Sequence, residues 1–402
     1  MSERFTENEL LILAARPTLD PVARNRLRSL LTELADWDCA LKMAQQHGVV
    51  ALLVQHLQLI DGSDVPPHIM LRLRKLSEAN TNDALYLTGE LVKLIKIFKA
   101  HHIEAAPFKG PTLALLAYGD IGLRQFGDLD ILIRRQELAR VRALLASHGF
   151  IPIPHLTTGQ EAAVLRFDCA QNFSNREEVV VDVHWDLAPR YRAIDVDANT
   201  FWDKLQSVEI GQTKIETLSQ ETLLLALAIH GFTHCWERLG WLSDISALID
   251  RNKTDWTKLL QTASDLGLRR ILMIALFLAN DVLEAPVPEE VLESFRNDRR
   301  AIELAHRFAQ TFRVNSQSFE GSIKSELLPI VIRERVWDRI RSAIRLLVTP
   351  RTFDWMSLSM PQSLWFAYYL VRPIRLVLKH AQSVRGRRRA TTMAGESISG
   401  SG

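Results

Sequence analysis

The amino-acid sequence predicts a small α/β or α+β domain set between helical regions. Three observations carry this. Residues 1–100 repeat apolar side chains at three-and-four spacing. Between His101 and Asp186 the chain switches to short extended runs separated by helical stretches. From Ser219 onward the helical spacing returns.

Taken in order, Thr6-x-x-Glu9 ahead of an apolar run has the form of a capping box and predicts a first helix over Glu7–Ala15. Helical spacing follows over Arg24–Trp37, Leu41–Gly48 and Ala51–Leu59. Pro66-Pro67 marks a turn before a long helix, Ile69–Ala100, whose Leu87, Leu91, Leu94, Ile95 and Phe98 share one face. Ile103–Phe108 reads as a short strand ending at Lys109-Gly110. Pro111–Tyr118 reads as a helix with Pro111 near its first position. Phe126–Ile133 alternates as a strand, and Gln136–Ser147 is a helix closed by Gly149. Leu165–Phe173 and Glu178–Asp186 read as strands joined through Ser174-Asn175-Arg176. Ser219 caps a helix running through Ile229. Further helices are expected over Trp241–Ile249, Trp256–Leu266, Arg269–Val282, Pro288–Phe295, Arg300–Thr311, Val331–Leu347 and Ser363–Gln382. A polar break, Val314–Lys324, and a loop, Thr349–Pro361, separate the last of them. Gly386–Gly402 is rich in Arg, Ser and Gly and is expected to be disordered. There is no internal repeat.

The 402 residues hold 49 Lys+Arg against 47 Asp+Glu, a net charge of +2, which excludes a global polycation or polyanion. The charge is uneven. Seven Lys/Arg against Glu396 give residues 355–402 a net +6, which leaves −4 for the rest. Cys39, Cys169 and Cys235 are widely spaced, with no CxxC pair, which argues against a disulfide scaffold or structural zinc and for reduced cytosolic thiols. The N-terminus, MSERFTENELLILAARP, has no long apolar core and does not read as a signal peptide. The longest apolar runs, Ile271–Ala279 and Leu364–Val371, fall short of the ~20 residues that span a bilayer. A cytoplasmic protein is expected, at most peripheral to a membrane.

The chemistry concentrates in FKGPTLALLAYGDIGLRQFGDLDILI, from Phe108 to Ile133. Alternation along a strand puts Asp128 and Asp130 on one face and Leu129, Ile131 and Ile133 on the other. Two carboxylates about 7 Å apart on one face repel unless solvated or bridged by a cation. Magnesium takes oxygen ligands from one or two carboxylates plus substrate phosphates, so this strand suits phosphoryl or nucleotidyl transfer. In Val179–Asp186, Val179, Val181, Val183 and Trp185 share one face, and Asp182, His184 and Asp186 the other. A strand carrying Asp182 beside the first would add a third carboxylate, able to hold a catalytic metal and help deprotonate an attacking hydroxyl. Lys109-Gly110, at a strand end that opens a helix, offers backbone N–H groups and a cation to phosphates. Arg124 is a second phosphate or acceptor partner, its alternative being an ion pair with a nearby Asp.

This block resembles the DNA polymerase beta-like nucleotidyltransferase superfamily. More closely, it resembles bacterial uncharacterised nucleotidyltransferase family proteins, with Lys109-Gly110, Arg124, Asp128-Leu129-Asp130 and Asp182-Val183-His184-Trp185 matching their pattern. The similarity extends over most of residues 85–375, into His230-Gly231-Phe232-Thr233-His234, Arg238–Asp244 and Tyr368–Pro373. The resemblance implies an α+β fold: a small mixed-sheet core at 85–215, helical regions at 1–84 and 216–385, and a basic tail at 386–402. It also implies transfer of a nucleoside monophosphate from an NTP such as ATP, with pyrophosphate released. Asp128, Asp130 and Asp182 would hold Mg²⁺ or Mn²⁺ and be catalytic. Lys109, Gly110, Thr112, Arg124, His184, His234 and Arg238 would bind the nucleotide.

One departure concerns the phosphate turn. The superfamily usually carries Gly-Ser or Gly-Gly about a dozen residues before its carboxylates, whereas Gly110-Pro111-Thr112 lies 18 positions before Asp128. Thr112 is then the residue to supply the hydroxyl. His230 and His234 lie four apart on a helix, but Gly231 stands where a metalloprotease needs Glu, which argues against zinc. They line the cleft opposite the carboxylates or serve structure. His184 either touches the nucleotide or supports Asp182. The last helix mixes Trp365, Phe366, Tyr368, Tyr369 and Leu370 with Arg372, Arg375 and Lys379. It is either a core helix before a solvated basic tail, which Pro373 favours by interrupting it, or a weak contact with an anionic membrane. The acceptor is a small molecule, peptide or saccharide rather than RNA. The alternatives are a catalytically silent scaffold of a biosynthetic cluster and a toxin-like enzyme modifying tRNA or protein.

Overall fold

The computed structural model describes residues 3–60, 62–192, 194, 196, 198–202, 204–314, 323–333, 336–358 and 360–376. Four helices open the chain: α1 (Glu3–Ala14), α2 (Pro21–Glu33), α3 (Trp37–His47) and α4 (Val50–Leu59). α1 starts one turn earlier than Thr6-x-x-Glu9 suggests, so Thr6 lies inside it. The side chains of Asp20 and Asp36 cap α2 and α3 by accepting from the Ala23 and Cys39 N–H groups. The second cap splits the expected Arg24–Trp37 helix, and Trp37 begins α3.

The long helix α5 (Pro67–Ala100) has 34 residues and reaches about 50 Å, enough to cross from one core to another. Its Ile69 and Leu73 belong to a large core that unites α1–α4 with the C-terminal helices. Its Leu87, Leu91, Leu94, Ile95 and Phe98 belong to a second core beneath the sheet.

The central segment runs β1 (Ala105–Pro107), α6 (Gly110–Tyr118), β2 (Leu129–Ile133), α7 (Leu138–Ser147), β3 (Ile151–Ile153), α8 (Thr158–Phe167), β4 (Ala170–Ser174) and β5 (Val180–His184). The strands form one five-stranded sheet in the order β1-β2-β5-β4-β3, with β2 and β5 parallel and the other neighbours antiparallel. The fold is α+β with a small mixed sheet and helical flanks. The expected strand over Leu165–Phe173 is half helix. Thr157 and Gln160 form a capping box, and Ala163, Val164 and Phe167 bury one helical face, so extension begins only at Ala170.

After α9 (Asn199–Trp202), the hairpin β6 (Leu205–Ile210) and β7 (Thr213–Leu218) turns at Gly211, whose φ is +60°. The Thr217 hydroxyl donates to the Pro107 carbonyl at 2.6 Å, which ties the hairpin to β1 beside Lys109. Helices α10 (Gln220–Thr233), α11 (Leu239–Arg251), α12 (Trp256–Asp265), α13 (Arg269–Leu283), α14 (Glu289–Glu293) and α15 (Arg299–Val314) build the large core.

The expected Val331–Leu347 helix starts later, as α17 (Val336–Val348), and Val331 instead ends a separate helix, α16 (Ile323–Val331). The expected loop Thr349–Pro361 contains α18 (Thr352–Ser357). A 3-10 turn over Gln362–Ala367 leads into a helix at 368–376 that continues through Pro373. There Tyr368 and Arg372 are buried, and Arg372 and Arg375 pair with the fully buried Asp354 at 3.7 and 2.9 Å. Phe366 just ahead of it and Leu370 and Ile374 within it are exposed, so this helix buries one face only. Most of the expected break at Val314–Lys324, Lys379 and the basic tail lie outside the described residues. Among the described residues, no helix is long and apolar enough to cross a membrane.

Candidate active site

Strand alternation gives the site its two-sided construction. Leu129, Ile131, Ile133, Val179, Val181, Val183 and Trp185 all point into the core beneath the sheet. This fixes the register of β2 and β5, since a one-residue slip would bury the carboxylates. On the other face Asp130 stands directly opposite Asp182 across the parallel ladder. Asp128 precedes β2 and is half-buried.

Two cationic groups converge on Asp130. Lys109 Nζ donates to its Oδ1 at 2.6 Å, and both side chains are buried, 9% and 6% exposed. His184 Nε2 lies 3.2 Å from the same oxygen and 3.0 Å from Asp182 Oδ2, bridging the two carboxylates. Burial alone would raise the Asp130 carboxyl, but Lys109 and His184 together hold it well below the usual range. Burial opposes a charge on His184, yet Asp182 and Asp130 hold its imidazolium far above the ordinary value. Asp128 is pushed up to about 6, first by burial and then by the neighbouring Asp130. The Phe108 ring packs edge-on against His184 at 5.2 Å between centroids.

Helix α6 begins at this edge. Gly110 has φ +54°, a left-handed conformation that strains other residues, and a Cβ there would sit 3.5 Å from the Asp128 carbonyl. Thr112 does not present a hydroxyl to a phosphate. It is fully buried, and its Oγ1 donates into the turn, 2.9 Å from the Lys109 carbonyl and 3.2 Å from that of Pro107. Arg124 forms an ion pair, its Nε 3.0 Å from both oxygens of Asp244, which also accepts from the Tyr118 hydroxyl at 3.0 Å. Its Nη1 is buried with no hydrogen-bond partner.

His230 and His234 pack together with ring centroids 4.8 Å apart, both against Trp241. Burial first and Lys109 second lower both, His234 to about 4, which puts the two neutral imidazoles in the field of Lys109. Gly231 is a packing residue, since a Cβ there would lie 2.2 Å from the buried Trp236 ring. Arg238 is exposed near Trp241, with its guanidinium 5.9 Å from the ring centre.

The sequence model of the Uncharacterised nucleotidyltransferase family matches residues 33–284, well over half of the chain. The chain belongs to that family. The match contains α3–α13 and every residue of the site. Among solved structures, the antigenic nucleotidyltransferase-like protein from Paracoccidioides brasiliensis is similar to this chain at 18% identity. The alignment covers 52% of this chain and 96% of that one, with a TM-score of 0.30, an overlap too slight to carry an argument. No curated protein matches the chain.

For this nucleotidyltransferase family member, the donor set fits a divalent cation. One ligand atom from each of Asp130, Asp182 and His184 falls within 4.8 Å of the others. Asp182 Oδ1 is buried with no hydrogen-bond partner, an orphan acceptor that a cation would satisfy. Two carboxylate oxygens suit Mg²⁺ or Mn²⁺, and a cation bound between them would displace the proton that His184 Nε2 holds there. Asp128 lies outside this trio but feels both other carboxylates.

Sequence reasoning missed two neighbours. Asn172 pairs with Asp182 across β4–β5 and shares its face, exposed. Arg192 acts on His234 through its charge, and its Nε is buried without a partner. Asn172 needed the β4 register to be found. Arg192 follows a turn with no periodic signal.

Proposed function

We propose that this protein is a polymerase beta-like nucleotidyltransferase with its catalytic domain at 85–215, between helical regions at 1–84 and 216–385. It would transfer a nucleoside monophosphate from an NTP, ATP being the first to test, to an acceptor hydroxyl or amine. The acceptor oxygen or nitrogen forms a bond to the α-phosphorus. The bond from that phosphorus to the bridging oxygen breaks, and pyrophosphate leaves with the electron pair. Asp182, with a free carboxylate oxygen, takes the acceptor's proton. Asp130 and Asp182, with Asp128 beside them, would hold Mg²⁺ or Mn²⁺, which supplies charge stabilisation at the transferring phosphoryl group. The N–H groups at the start of α6 receive phosphate oxygens, and the half-turn at Gly110 admits them closely. His230 and His234, neutral and packed on Trp241, line the base side of the cleft.

The observation that supports this most is the in-register pair of Asp130 and Asp182, with one Asp182 carboxylate oxygen left without a partner. The test is pyrophosphate release with a panel of NTPs and either metal. Wild type above the Asp130→Asn and Asp182→Asn backgrounds is expected, and equal rates sink the reading.

A second reading has its own observation. Lys109 and His184 already neutralise Asp130 without a metal, which also suits a catalytically silent scaffold. Metal-dependent stabilisation separates the two.

A further inference from the structure

A cleft of about 470 Å³ opens between α3–α4, the middle of α5 and residues 125–127, immediately before Asp128. Its volume suits a small molecule. Val50, Ala51, Leu76 and Phe126 give it apolar walls. Gln45, Asp83, Gln125 and Arg238 also line it, and their side chains make no hydrogen bond or ion pair among the described residues. Through Gly48, Gln125 and Arg238 it adjoins a recess of about 40 Å³ that holds Arg124. There Arg124 pairs with Asp244 through Nε and keeps a buried Nη1 without a partner. Arg238 thus lines the cleft with no ion pair among the described residues, and Arg124 lies buried in the adjoining recess, held by Asp244.

We infer that this cleft is the acceptor pocket and that it takes a small polyhydroxylated molecule bearing a phosphate or carboxylate. This rests on the nucleotidyl-transfer reading of the adjacent carboxylates. The forked donors of the Arg238 guanidinium match the oxygens of either anion, whereas a neutral acceptor would leave them unused. Asp83 and the two glutamines supply acceptors and donors for hydroxyl groups. The apolar wall covers the sugar-like or carbon backbone. Gly127 lines the cleft one residue before Asp128, and a Cβ there would meet nothing within 4 Å, so a side chain added at 127 would take up open space beside the cleft.

Three hexoses that differ at one carbon test this: glucose, glucose 6-phosphate and glucuronate. Their binding is read by saturation-transfer NMR on wild type, Arg238→Gln and Gly127→Leu. Arg238 caps α11 without a side-chain hydrogen bond, and Gly127 stands in open space, so both variants should fold, as thermal unfolding checks. At least one anionic hexose should bind about tenfold more tightly than glucose, the worth of one good charge-assisted pair. Gly127→Leu should lose about that tenfold while its affinity for ATP stays within about twofold, and Arg238→Gln should weaken the anionic hexose by clearly more than it weakens ATP. The phosphate and the carboxylate are separated by which of the two binds.

The inference is overturned if neither anion outbinds glucose, or if binding survives both substitutions. It is also overturned if Arg238→Gln weakens ATP as much as the hexose, which would give Arg238 to the nucleotide. Binding is read without turnover. A protein that binds the anion but releases no pyrophosphate sinks the transfer reading alone. One that turns over NTP but binds neither anion sinks the pocket alone.

Discussion

Replacing Lys109 with Met keeps the length of the side chain and removes the charge that Asp130 depends on. The two groups are 2.6 Å apart, 9% and 6% exposed. Breaking a buried pair by removing one partner typically costs about 3–5 kcal/mol, because the other charge stays buried. Here His184 remains 3.2 Å from the same oxygen and offsets part of that loss. The expected cost at pH 7 is therefore near the lower end, about 2–3 kcal/mol. Denaturant unfolding of wild type, Lys109→Met, Asp130→Asn and the double variant measures it as a cycle. The double variant should be less destabilised than the two single costs predict, since neither charge is then left alone. The pH sign follows from the depressed Asp130 carboxyl. Its stabilisation is fully present above the unfolded value of about 4 and is lost as pH falls through the lower folded value, so the Lys109→Met deficit narrows below about pH 4. A divalent cation should restore much of the deficit, about 2.7 kcal/mol at a hundred times its Kd. If the single costs add within about 0.5 kcal/mol, Lys109 and Asp130 do not interact as argued. If millimolar Mg²⁺ and Mn²⁺ shift no unfolding midpoint, the carboxylates hold no cation.

Three further outcomes follow. Gly231→Ala forces a Cβ to within 2.2 Å of Trp236 and should lower stability by about 1–3 kcal/mol, whereas Gly89→Ala, with open space in mid-helix α5, should raise it by about 0.5–1 kcal/mol; thermal unfolding compares them. His47 and His234 are lowered to about 4, mainly by burial, so the unfolded chain binds more protons between about pH 4 and 6.5 and stability rises over that window. Unfolding midpoints from acid to neutral pH should show this slope, and His47→Gln/His234→Gln should flatten it. Asp182→Asn should cut pyrophosphate release by about 10²–10³-fold, read against wild type with the same metal.

The face of each strand was legible because alternation is a local rule. Leu129, Ile131 and Ile133 had to oppose Asp130, and the valines of β5 had to oppose Asp182. Neither strand alone says that Asp130 and Asp182 sit opposite each other, since that depends on a parallel pairing between segments 52 positions apart. Arg124 shows the same limit. Local spacing offers a phosphate partner or an ion pair with a nearby Asp, whereas the fold pairs it with Asp244, 120 residues away. Thr112 is the one hydroxyl that could stand in for the superfamily's Gly-Ser turn, but the turn at Lys109 buries it. The short edge strand β3 escaped notice because prolines at 152 and 154 mask its pattern. Gly231 had a local signal only in what it lacked. The reason for it, the Trp236 ring, appears with the bend after α10.

The choice between an active enzyme and a silent scaffold turns on Asp182. A buried acceptor without a partner costs about 1–3 kcal/mol, so one placed beside a second carboxylate calls for a gain elsewhere. Asp182 gives Oδ2 to His184 and leaves Oδ1 buried without a partner. It also stands beside Asp130 and raises Asp128 through like charge. A scaffold gains nothing from that arrangement, whereas a cation site needs it. The two cases predict opposite signs for Asp182→Asn in metal-free protein. If the residue serves a cation, the substitution removes a repulsive charge while His184 keeps Asp130. The variant should then be at least as stable as wild type and lose only its stabilisation by Mg²⁺ or Mn²⁺. If the residue serves structure, the lost His184 pair dominates, and the variant should fall by about 2 kcal/mol or more with no change in metal response.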